Sequence, residues 1–149
     1  MVLRGLKADR SPGDLFCINR WGWDSFLTYL YRSCPDIISE EDDDIHEGKL
    51  IDAGKASRIA IRLMHLLSQQ RVKEYALEFN KRMALLPESE CDYCNGAGYH
   101  SKYGADREEC SFCRGRGVGR YNFSEETVKH FVDFLRDCDG FKVPVKILP

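Results

Sequence analysis

Cys91-Asp92-Tyr93-Cys94-Asn95-Gly96-Ala97-Gly98 and Cys110-Ser111-Phe112-Cys113-Arg114-Gly115-Arg116-Gly117 are the two stretches from which the chain is best read. Each has the form C-x-x-C-x-G-x-G, and fifteen residues separate Cys94 from Cys110. Two residues between paired cysteines let both sulfurs of a tight knuckle reach one ion at about 2.3 Å, and two knuckles complete a tetrahedron. The expectation is one structural Zn2+ held by Cys91, Cys94, Cys110 and Cys113, with iron in the same ligand set left as the open alternative. Gly96, Gly98, Gly115 and Gly117 are expected around the metal. Glycine lets the chain turn back closely, and backbone N–H groups aimed at sulfur offset the charge of four thiolates. Disulfide exchange is the weaker reading, because no strand–helix–strand pattern surrounds either C-x-x-C.

On both sides of this region the periodicity is helical. Trp23, Phe26, Leu27, Leu30, Tyr31 and Cys34 follow the i, i+3, i+4, i+7 rule before Pro35. Asp52 suits an N-cap for a helix bearing Ala56, Ile59, Ala60, Leu63, Leu66 and Leu67 on one face. The phase then slips to Val72, Tyr75, Ala76, Phe79, Met83 and Leu86, which reads as a second helix or a kink, ending before Pro87. Ser124 with Glu125 and Glu126 starts a last helix, carrying Val128, Phe131, Val132 and Leu135 and closed by Asp139-Gly140. Phe141, Val143, Val145 and Ile147 alternate with polar residues and Pro144, which reads as a short edge strand. Leu15 to Ile18 reads either as a strand or as the entry to the first helix.

These elements predict a mainly α fold: a helical single domain over residues 1–149, with a short C-terminal strand. The zinc hairpin at 91–119 is inserted between the third and fourth helices. A chain of 149 residues can bury a core without staples, so the metal is expected to organise only its own region. The composition, 43% hydrophobic and 31% charged, suits a globular protein, and no apolar run reaches membrane-spanning length. Charged residues interrupt any apolar stretch near Met1, so no export signal is read and the expected compartment is the cytoplasm. In that reducing setting Cys17, Cys34 and Cys138 are expected to act as small buried hydrophobes.

Charge is unevenly spread. Residues 36–52 hold eight acids against Lys49, whereas the two central helices carry seven bases against Glu74 and Glu78. The simplest reading folds the acidic segment back near those helices; the sharper one gives the helices an acidic partner. A net charge of −2 argues against non-specific nucleic-acid binding by the whole surface.

The repeated C-x-x-C-x-G-x-G units resemble the cysteine-rich zinc domain of DnaJ-type (Hsp40) co-chaperones, in which four such units form two zinc sites. Two units suffice for one site, and the resemblance covers residues 91–119 only. No His-Pro-Asp occurs in the chain, so the J-domain and its action on Hsp70 are not carried over. The resemblance implies a zinc hairpin of the type used for protein contact, and lends weaker support to chaperone-like binding. Trp21-Gly22-Trp23, Phe26 to Leu30 and His46-Glu47-Gly48 are faintly similar to small uncharacterised bacterial proteins; packing in a core or turn is the plain reading of both tryptophans.

The leading functional expectation is a non-enzymatic zinc-binding protein that works through an unidentified protein partner, as an immunity, anti-defence, adaptor or chaperone-like protein. Tyr103, Arg107, Arg114, Arg116 and Arg120 are the candidate partner-contacting residues. The alternative is a nucleic-acid-binding zinc finger, since aromatic residues interleave with cations around the cysteines. No membrane partner is expected. No catalytic residue is assigned: the histidines are scattered, and the acidic stretch around His46 fails as a calcium loop because Ile45 and Gly54 fall on ligand positions.

Overall fold

Four short strands, distant in sequence, meet in one antiparallel sheet. The computed structural model describes residues 1–6, 12–39, 45, 48–101 and 107–143. The sheet contains β1 (Val2–Gly5), β2 (Leu15–Cys17), β3 (Leu50–Asp52) and β8 (Gly140–Lys142), in the order β2-β1-β8-β3. Each strand alternates. Leu3, Phe16, Ile51 and Phe141 are buried on one face, while Val2, Arg4, Leu15, Cys17, Leu50 and Lys142 are exposed on the other. Register follows the buried set, with Leu3 opposite Phe16 and Ile51 opposite Phe141.

The helices are α1 (Arg20–Ser33), α2 (Ala53–Ser68), α3 (Arg71–Ala84) and α4 (Glu125–Asp137). Asn19, Asp52 and Ser124 cap α1, α2 and α4 as N-caps do: Asn19 Oδ1 accepts from the Gly22 N–H at 2.8 Å and Asp52 Oδ1 from the Lys55 N–H at 2.8 Å. Ser124 Oγ accepts from the Thr127 N–H at 3.4 Å. The phase slip after Leu67 is a true break, because Gln70 sits in the left-handed region at φ 60° and α3 starts anew after it. Helices α2 and α4 pack on each other and on the buried face of the sheet. Phe16, Phe26, Phe131, Phe134 and Phe141 join there in a core of tilted, edge-on and stacked rings.

The mainly α expectation is therefore corrected. Of the described residues 45% are helical and 18% are in strands, and the helices lie over a four-stranded sheet. The strands are three or four residues long, too short for a period of two to stand out beside helices of 13 to 16 residues. The C-terminal strand is also interior, not an edge: β8 pairs with β1 on one side and β3 on the other. Its paired residues precede Pro144, so the missing donor does not limit it; Pro144, Val145 and Ile147 lie outside the described residues. Leu15–Cys17 is a strand, and Cys17 is exposed whereas Cys34 and Cys138 are buried.

Between α3 and α4 the chain leaves the core and returns. Asn80 holds the return, its amide donating to the Phe123 carbonyl at 2.8 Å and accepting from the Phe123 N–H at 3.0 Å. This seats the Phe123 ring among Tyr29, Tyr75 and Phe79. Arg120 reaches back to the carbonyls of Met83 and Leu86 at the end of α3 and ties the returning chain to it.

Candidate metal centre

The excursion contains β4 (Ser89–Glu90), β5 (Tyr99–Ser101), β6 (Arg107–Glu109) and β7 (Val118–Gly119), paired as β4 with β7 and β5 with β6. Each C-x-x-C unit forms a knuckle between an incoming and an outgoing strand. The two knuckles are related by a nineteen-residue shift that carries Cys91 to Cys110 and Cys94 to Cys113. Their hydrogen bonds repeat with it. Gly96 N–H donates to the Cys91 carbonyl and Gly115 N–H to that of Cys110, while Cys91 N–H donates to Gly117 and Cys110 N–H to Gly98, both at 2.8 Å.

The four sulfurs are buried and lie within 4.8 Å of one another. Cys91 and Cys110 Sγ are 3.9 Å apart, and Cys94 and Cys113 Sγ 3.7 Å. A tetrahedron of sulfurs about 2.3 Å from a central ion has edges of about 3.8 Å. The four cysteines therefore form a set that could hold one metal ion, and both the donor chemistry and the spacing fit it.

The N–H groups of Gly98 and Gly117 donate to Cys94 Sγ and Cys113 Sγ, each at 3.2 Å. Both have positive φ, at 82° and 72°, and a Cβ on either would collide with the carbonyl oxygen of Gly115 or Gly96 in the other knuckle. Gly96 and Gly115 act one step further out, donating to the carbonyls of Cys91 and Cys110 rather than to sulfur. Burial first, with sulfur neighbours adding to it, pushes the Cys94 thiol up to about 11. At Cys110 burial pulls the same way, but N–H groups of Cys113 and Phe112 and the His100 side chain outweigh it and bring the thiol to about 6.

The described candidate partner-contacting residues differ in what they touch within the chain. Arg107 stacks on the Tyr99 ring at 4.5 Å and Arg114 is exposed beside the second knuckle. Arg116 pairs with Glu88 at 3.0 Å, and Arg120 is committed to the end of α3. Tyr103 lies outside the described residues, as do His46 and the acidic residues 40–44 and 47. Asp36, from the same acidic segment, does fold onto a basic helix, 3.0 Å from Arg62 and 3.8 Å from Arg58.

Sequence reasoning missed two residues at the centre. His100 lies beside the Cys110 sulfur and meets Tyr93 edge-on at 4.6 Å. Trp21, from the first turn of α1, belongs to one buried cluster with the four cysteines, against which Phe112 and Tyr121 pack. His100 stands two residues after the first C-x-x-C-x-G-x-G, which is a signal in itself. Nothing local marks Trp21. The chain matches no protein family, no curated protein and no solved structure. The four clustered cysteines are compatible with a zinc-finger-like cluster, and no family match identifies it as DnaJ-type.

Proposed function

We propose that the four cysteines hold one structural Zn2+ and that the protein acts without catalysis, by presenting the metal-clamped hairpin to a protein partner in the cytoplasm. In this reading residues 1–149 are one domain and 91–119 its zinc hairpin. The arrangement of the sulfurs carries it: four buried donors at tetrahedral spacing leave no coordination position for water or substrate. What zinc supplies is a fixed geometry for two knuckles whose middle residues, Tyr93 and Phe112, pair as rings 4.2 Å apart, with Tyr93 54% exposed. A paired aromatic surface with an exposed tyrosine is suited to protein contact. The DnaJ-type resemblance supports the same use. No described helix is long and apolar enough to cross a membrane.

Two tests apply. Metal analysis of protein purified under reducing conditions is expected to give about one zinc per chain; iron or no metal would overturn the zinc assignment. Affinity capture from source cells should enrich a protein partner with the zinc-loaded chain and lose it with Tyr93→Ala, whereas equal recovery with both would reject the knuckle surface. Nucleic acid is the less supported partner, because Arg116 and Arg120 are engaged within the chain. Its mark would be salt-sensitive binding of single-stranded DNA or RNA that Arg107→Ala weakens.

A further inference from the structure

The nineteen-residue shift maps strands as well as knuckles. The β5–β6 register sets Tyr99 opposite Glu109 and His100 opposite Glu108; the β4–β7 register sets Val118 opposite Glu90 and Gly119 opposite Ser89. His100 in one half is therefore Gly119 in the other. His100 places its ring beside Cys110, so the equivalent place, beside Cys91, has no side chain of its own.

That place is filled from elsewhere. A Cβ on Gly119 would collide with the Cε2, Cζ2 and Nε1 atoms of Trp21, so the indole lies where a side chain at 119 would project. Trp21 is 7% exposed although it points away from the main core, into the cluster of cysteines. Its carbonyl accepts from the Asn122 N–H at 3.1 Å and its ring meets Tyr121 edge-on at 5.3 Å. Trp23, two residues on and so on the opposite side of α1, packs instead against Phe26 in the core.

We propose that Trp21 is a positioning residue of the metal centre: it replaces the side chain missing at Gly119, covers the cysteines from the body side, and ties ion binding to the docking of the hairpin on α1. The inference rests on the zinc reading given above. A covered, dry sulfur cluster holds its ion more firmly, and reciprocally the ion fixes the surface on which the indole packs.

Two single-tryptophan proteins test it: Trp23→Phe, which keeps Trp21, and Trp21→Phe, which keeps Trp23. On zinc removal by a chelator, Trp21 emission should shift to the red as the indole meets water, and Trp23 emission should hold. Zinc affinity, read by competition with a chromophoric chelator, should fall about tenfold in both Trp21→Ala and Gly119→Ala, a typical size for coupling between sites. Trp21→Phe should recover most of that loss. Unchanged Trp21 emission while metal analysis shows zinc removed, or parental affinity in both Trp21→Ala and Gly119→Ala, would overturn the proposal and leave the zinc reading standing. Protein purified without metal would sink the zinc reading itself, and this one with it.

Discussion

In the body of the protein, the rings of Phe16, Phe26, Phe134 and Phe141 surround Phe131 at centroid distances between 4.9 and 6.0 Å. In the hairpin, the corresponding centre is four sulfurs, with Trp21, Phe112 and Tyr121 as their apolar company. The body brings together β1, β3 and β8 from opposite ends of the chain, so its order comes from burying apolar surface among distant residues. The hairpin buries little, and its strands are two or three residues long. On the zinc proposal the two regions answer to different perturbations: the body to changes of volume in its core, the hairpin to loss of an ion.

The comparison is broken most strongly by Cys110→Ser. Structural zinc contributes about 10–16 kcal/mol to small metal-bound units, so this variant should bind no metal and lose hydrogen-exchange protection over 89–119. The circular dichroism of α2 and α4 should persist; its collapse would show that the body depends on the ion. Next in size is Phe131→Ala, expected to cost about 3–5 kcal/mol in denaturant unfolding while the folded protein keeps its metal. Asn80→Ala lies at the join and should cost about 1–3 kcal/mol, since it leaves the Phe123 N–H and carbonyl without their partner. Smallest is Asp52→Ala, which removes a helix cap for about 1 kcal/mol of thermal stability and should leave metal affinity untouched.

The same contrast governs what the sequence revealed. The cysteine spacing is local, and it pointed to the four sulfurs that cluster within 4.8 Å of one another and could hold one ion. Helix positions were equally legible, because caps such as Asp52 and Ser124 act within one turn. The sheet was not, since the pairing of Ile51 with Phe141 spans most of the chain and each strand offers one inward residue. Trp21 escaped for a related reason: its partner, Gly119, is recognised only once the two knuckles are superposed and one of them lacks its side chain.

If one ion holds the hairpin while the body holds itself, the two regions will differ in the count of reactive thiols at pH 8. Cys17 is exposed. Burial pushes the Cys34 thiol up to about 11 and raises that of Cys138, leaving both protonated and shielded. The metal-loaded protein should therefore show Cys17 alone as reactive. After chelation Cys17 and the four hairpin cysteines should react, and all seven only in denaturant. Reaction of all seven on chelation would contradict the account, because the body would then have opened with the hairpin. Reaction of Cys17 alone, with the ion gone, would contradict it equally, because the knuckles would then stand without metal.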